Sequence, residues 1–349
     1  MLYKYVVWNE DTIKDLTNGQ LWFNTPDKFN DPFDMLAYYS LKSNDAIGKI
    51  HSSIGKIKGF DDSDILKVQR LTEYEGAYHK RYGITCFSCN ETENILLWSH
   101  YAKKHTGICL GFEIENDDEH AYDFMPCLRN KDFSSKLFKM TYVSNNNRPM
   151  QNDDDLLLKK FNVWSYEKEY RIMVRSENRD CFPKAIKYRQ DRLKKIILGA
   201  RFKVSGLSEL KDCLSSYNID TIDFNVVILD DVEYKLNIKG LPISEMKIIC
   251  KNVMKSSDVE YGICLSHIIE DLRKCYSDNE IKDAWNNAFN NMPLCVLWKF
   301  FPMIKKEFFW EKAVAKSLSQ DECIEIGMFR SYMENQTKFE LEKPSKGDR

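Results

Sequence analysis

The hydrophobic pattern of the chain changes at Lys239-Gly240-Leu241-Pro242, and that change limits the folds open to it. Before it, apolar residues come in short runs bounded by Gly, Pro, Asn and Asp, the mark of strands and short helices. Beyond it the spacing turns helical over 259–275, 279–289 and 293–309. In the first of these, Leu265, Ile268, Ile269 and Leu272 recur at i, i+3, i+4 and i+7. A chain of 349 residues has room for about two domains. The reading is an α+β domain over 1–240 and a mainly helical region over 241–349, ending in a loose tail of about a dozen residues.

Within the first part the pattern predicts strands over 2–7, 21–24, 84–88, 107–113, 139–143, 170–175, 196–199 and 224–229. It predicts helices over 11–16, 94–104, 155–166 and 206–216, and the polar stretch 44–79 reads as helical too. Residues 25–34, with Pro26, Pro32 and several Asx residues, form a shaped loop. Lys and Arg total 51 against 53 Asp and Glu, so no global basic excess points to nucleic acid. No apolar run reaches the ~18 residues of a membrane helix, and the first residues lack signal-peptide character, which predicts a cytoplasmic protein without membrane contact. Eleven scattered cysteines suit reduced thiols.

The chain has no G-x-G-x-x-G after a strand, no Walker loop, no G-x-S-x-G elbow and no H-E-x-x-H. Cys86 and Cys89 form a C-x-x-C, but no second ligand pair lies at zinc-finger spacing, so it reads as a strand end. On a helix His100 and His105 would point about 140° apart, a poor geometry for sharing a metal. No metal is expected.

One constellation stands out. Side chains alternate along a strand, so Glu169, Arg171 and Met173 share one side and Tyr170, Ile172 and Val174 the other, with alternate positions about 7 Å apart. Glu167 joins them if the strand begins early. Two carboxylates and a guanidinium on one surface read either as a salt-bridged sheet face or as a site. Further candidates are the first-strand residues Tyr3, Lys4 and Tyr5, the loop residues Asn30 and Asp31, and Tyr101. Trp98, Tyr101 and His105 fall on one face of the expected helix.

Six stretches in order carry a family resemblance: Leu2-Tyr3-Lys4-Tyr5, Phe29-Asn30-Asp31-Pro32-Phe33-Asp34, Cys86-Phe87-Ser88, Trp98-Ser99-His100-Tyr101-Ala102 with His105 to Phe112, Trp164 to Arg171, and Ile196 to Gly199. Over roughly residues 2–235 the chain resembles the bacterial "domain of unknown function 2971" family. That layout is similar to ADP-ribosyltransferase-like toxins and abortive-infection proteins. The resemblance implies an ADP-ribosyltransferase-like mixed sheet, with NAD as co-substrate and a role in anti-phage defence or toxicity. It places Lys4 in the first-strand position, instead of the more usual His or Arg, Tyr101 in the aromatic position and Glu169 in the late-strand position, with Glu167 competing for the last.

Breaking the nicotinamide–ribose bond builds positive charge on the ribose, and a fixed carboxylate beside it stabilises that charge. On this reading Glu169, with Glu167, is catalytic and Tyr101 stacks on nicotinamide. Lys4 and Tyr5 contact the ribose or a phosphate, Arg171 holds Glu169 ionised, and Asn30 and Asp31 support the pocket or touch the acceptor. The acceptor is a protein, a nucleic acid or water. Two alternatives stand beside it: a Mg²⁺-dependent nuclease using Asp31, Asp34, Glu167 and Glu169, and a non-catalytic module binding a nucleotide or protein, with the C-terminal helical region as a partner surface.

Overall fold

The computed structural model describes residues 1–31, 82–89, 94–114, 123–129, 133–144, 158–176, 182–241, 272–299 and 320–343. The architecture is α+β, as the alternation of apolar runs and polar turns predicts. The expected helix over 44–79 and most of that over 259–275 lie outside the described residues. The chain divides into two compact units: 1–4, 14–94 and 110–194 in the first, and 5–13, 95–109 and 195–349 in the second.

The first unit is built on the start of β1 (Leu2–Val6, of which residues 2–4 belong here), β3 (Tyr82–Ser88), β8 (Glu169–Ser176) and β5 (Phe133–Lys139), neighbours in that order. Between β1 and β3, Tyr3 pairs with Ser88. Strand β3 pairs with β8 at Ser88–Glu169, Cys86–Arg171 and Ile84–Met173, and β8 pairs with β5 at Arg171–Phe138. All three ladders are antiparallel, so directly paired side chains share a face. On one face Tyr82, Ile84 and Met173 form an apolar cluster, with Phe29, Cys86, Phe138 and Leu158 packed against it. On the other, Phe87 meets Phe112 and Phe124 edge-on at 6.0 and 6.3 Å.

Two small pairs complete this unit: β2 (Gln20–Phe23) with β9 (Lys184–Lys187), and β6 (Thr141–Val143) parallel to β7 (Lys159–Phe161). Strand β7 and the 3-10 turn that follows it, Asn162–Glu167, replace the helix expected over 155–166 where those residues are described. Pairing with β6 extends the backbone of Lys159–Phe161, and Lys168 closes the turn in the left-handed region at φ 43°. The strand expected over 139–143 is interrupted at Met140, whose N–H donates to the Glu169 carbonyl at 3.0 Å.

In the second unit β10 (Leu193–Leu198) lies parallel to β11 (Asp223–Leu229), with α3 (Gly206–Cys213) as the crossover, and β12 (Leu236–Gly240) returns antiparallel. Helix α2 (Ile95–Tyr101) is shorter than the expected 94–104, because Lys103, Lys104 and His105 are left-handed at φ 44°, 56° and 69°. His105 is therefore off the helix. Its ring still stacks on Trp98, with centroids 6.2 Å apart. Glycine at 107 is required by close approach: a Cβ there would run into the carbonyl oxygen of Val6.

Two further helices pack together, α4 (Asp278–Asn290), started by a Ser277/Glu280 capping box, and α5 (Gln320–Leu341). Helix α5 reaches into the expected tail. Val204 N–H donates to Met292 O at 3.1 Å and Leu294 N–H to Phe202 O at 2.7 Å, so residues near 203 and near 292 share backbone bonds across the boundary the sequence suggests at 240.

Candidate functional site

Strand alternation brings Glu169 and Arg171 to the same face of β8, and their side chains meet. Arg171 Nε donates to Glu169 Oε1 at 2.6 Å and Nη2 to Oε2 at 3.3 Å. Strand β7 and the turn after it then deliver two more charges, Lys160 and Glu167. Lys160 Nζ donates to Glu167 Oε2 at 2.6 Å and to Glu169 Oε2 at 3.0 Å. Glu167 does not join the strand; it ends the turn one residue before Lys168, and its carboxylate shares Lys160 with Glu169.

The four groups are closed off from water. Lys160 is 4% exposed, Glu167 3%, Glu169 4% and Arg171 1%. Phe29 covers the guanidinium at 5.1 Å from its ring centroid, and Trp164 lies 5.0 Å from the Lys160 ammonium. Two cations face two carboxylates, so the quartet carries no net charge. The backbone holds it in place: Glu169 N–H donates to Tyr142 Oη at 2.8 Å, Ser88 Oγ to Glu167 O at 2.5 Å, and Cys89 N–H to Lys168 O at 3.1 Å.

Burial alone would raise the Glu169 carboxyl, but Arg171 and then Lys160 outweigh it and hold it down at about 2. The Cys86 thiol also donates to this carboxylate, and burial, together with Glu169 beside it, pushes that thiol up. Burial pushes the Tyr142 hydroxyl up to about 12. Glu169 is thus an ionised carboxylate in a dry site, with both oxygens engaged.

The remaining candidates lie elsewhere. Tyr3 pairs with Ser88 and so belongs to the Glu169 face; Lys4, its neighbour, belongs to the opposite one. There its ammonium donates to Thr85 Oγ1 at 2.8 Å and to Cys86 O at 3.1 Å, and lies 5.5 Å from the Phe87 ring centroid. Burial lowers the Lys4 pKa. The pairing register thus places Lys4 on the opposite side of the strands from Glu169, whose charge still acts on its ammonium. In the first unit Asp31 is buried and Asn30 exposed, two and one residues beyond Phe29.

Tyr5 and Tyr101 belong to the second unit. Tyr5 is buried and edge-on to Trp98 at 5.1 Å. Tyr101 is half-buried at the end of α2, beside His100 at 6.3 Å. Asp34, part of the nuclease alternative, lies outside the described residues. Among the described residues no group of three or more His, Cys, Asp or Glu is placed to hold a metal ion, and no helix is long and apolar enough to cross a membrane.

Residues 97–172 match the model of a family described as "Protein of unknown function (DUF2971)". The match spans Tyr101, Lys160, Glu167, Glu169 and Arg171, and leaves Lys4, Asn30 and Asp31 outside. No curated protein and no solved structure matches the chain.

Proposed function

We propose that the Glu167/Glu169 carboxylate pair serves glycosyl transfer from NAD, as an ADP-ribosyltransferase or NAD glycohydrolase of bacterial defence or toxicity. The observation that carries this reading is Glu169 itself: a strand-borne carboxylate kept ionised at about 2 in a site from which water is excluded. Such a group stabilises developing positive charge more than an exposed one does. In the reaction the bond between ribose C1′ and the nicotinamide nitrogen breaks, and nicotinamide leaves neutral with the bonding pair. An acceptor hydroxyl, amine or water bonds C1′ and releases its proton.

Each residue has a definite part. Arg171 orients Glu169 and keeps it charged through its Nε bond to Oε1. Glu167 supplies a second negative charge on the same ammonium. Lys4, on the other side of the strands, keeps the proposed contact with the ribose or a phosphate. The acceptor stays a protein, a nucleic acid or water.

The test is nicotinamide release from NAD by the purified full chain, with and without EDTA and with cell lysate as a source of acceptor. EDTA-resistant release that disappears in Glu169→Gln, at a temperature where the variant is still folded, supports the reading. Absence of release from both the native chain and the Lys160→Met variant described below overturns it.

A further inference from the structure

The two carboxylates share one occupant. The Lys160 ammonium sits between Glu167 Oε2 and Glu169 Oε2, at 2.6 and 3.0 Å. It comes from the short strand β7, not from β8, which carries Glu169; Glu167 sits at the far end of the turn that follows β7. Among the described residues, strand β7 has three residues and pairs only with the three of β6, in a two-stranded sheet of its own. The outer surface of this appendage is wet and apolar at once: Phe161 is 36% exposed and Val163 58%. Around the ammonium, by contrast, everything is dry. A short segment thus plugs a cation between Glu169, held by the seven-residue β3–β8 ladder, and Glu167, whose carbonyl accepts from Ser88 Oγ at 2.5 Å.

We infer that Lys160 is a removable internal cation, and that the 159–166 segment must lift away before a positively charged ligand, such as the nicotinamide–ribose end of NAD, reaches Glu167 and Glu169. The choice of ligand rests on the proposed function; the plug does not. Removal swaps one cation for another at the same two oxygens, so the carboxylates are never left bare in a dry site. That exchange avoids the desolvation cost of a buried unpaired charge. It also means that the chain as described is closed, with low basal activity. Arg171 stays in place throughout, since it is carried by β8 itself.

The experiment uses the full chain. Carboxylates are labelled with a carbodiimide and a small amine in the native protein, in Lys160→Met and in Lys160→Arg, and Glu167 and Glu169 are read by peptide mass spectrometry. The expected result is labelling of the pair at least ~10-fold faster in Lys160→Met than in the native protein, with Lys160→Arg near native, because an opening worth ~1.4 kcal/mol is a factor of ten. Equal labelling in folded Lys160→Met and native protein overturns the inference.

Nicotinamide release is measured on the same samples. Faster labelling without release in Lys160→Met or the native chain keeps the plug and removes the NAD reading. Release without faster labelling does the reverse. Should Lys160→Met not fold, the native protein decides. Lysine methylation of Lys160 at low urea is expected to run at a rate independent of urea, the sign of a local opening. A Lys160 rate that rises with urea as steeply as global unfolding overturns the inference.

Discussion

Replacing Glu169 by Gln keeps the shape of the side chain and removes one charge from a buried group of four. Within the quartet two cations would then be left with one carboxylate, in a site where every member is at most 4% exposed. Two routes give the size of the effect. Removing one partner of a buried ion pair costs about 3–5 kcal/mol. Independently, the Glu169 carboxyl lies at about 2 when folded and near ~4.3 in an unfolded chain, a difference worth about 3 kcal/mol. With a urea slope of ~3 kcal/mol per molar, such a loss lowers the unfolding midpoint by about 1 M.

The sign with pH follows from the same numbers. A carboxyl depressed on folding contributes stability that is fully present above its unfolded value. It is lost as pH falls from ~4.3 toward the folded value of about 2. The native chain should therefore lose stability steeply between about pH 4.5 and 2, and Glu169→Gln should lack that part of the profile. Adding Arg171→Met to Glu169→Gln leaves Lys160 with Glu167, one cation to one carboxylate. The pair of changes should cost less than the sum of the two single ones. A Glu169→Gln variant with native midpoint and native acid profile would refute the reasoning, since the carboxylate would then be solvated.

Two further predictions concern the second unit. Gly107→Ala should destabilise by about 1–3 kcal/mol, because a Cβ at 107 runs into the Val6 carbonyl oxygen and also approaches Ala102 Cα at 3.1 Å; a calorimetric melting temperature equal to native would contradict it. A fragment ending at Gly240 should fail to give a cooperatively melting monomer. It loses the backbone partners of Phe202, Val204 and Ser205 and exposes buried Phe202; a soluble monomer with one sharp melting transition would show that residues 1–240 are self-sufficient.

How far the sequence carried the site depends on which physical fact each residue needs. That Glu169 and Arg171 meet follows from strand alternation alone, and the structure places them 2.6 Å apart. That Lys4 lies away from them does not. Alternation says which residues of one strand share a side; only the register, Tyr3 with Ser88 and Ser88 with Glu169, says which sides of different strands coincide. Lys160 was out of reach for a different reason. Its neighbours Leu156, Leu157, Leu158 and Phe161 read as helix, and a helix gives no ground for placing the ammonium on a carboxylate seven residues on. The signal that could have found it is electrostatic: two glutamates flanking Lys168, beside one arginine, need a second cation to be buried together. The helix ending at Tyr101 was equally hidden, because Lys103, Lys104 and His105 have no sequence preference for the left-handed region they occupy.

Four buried charges are a poor way to hold a sheet together. Apolar residues of the same volume would often do as well or better, because the ions must first be stripped of water. The first unit has such packing at hand: one ladder step from Arg171, on the same face, lie Met173 and Ile84, with Phe138 and Leu158 against them. The same ladder is apolar where it needs only to cohere and ionic at the end nearest the turn that carries Glu167. Charge at that end therefore does something packing cannot. A neutral quartet keeps Glu169 ionised without exposing it. Placing one of its cations on a separate three-residue strand lets that cation leave without dismantling the rest. A purely structural quartet has no need of that last feature, since a cation on β3 or β5 would close the charge balance as well and be harder to remove.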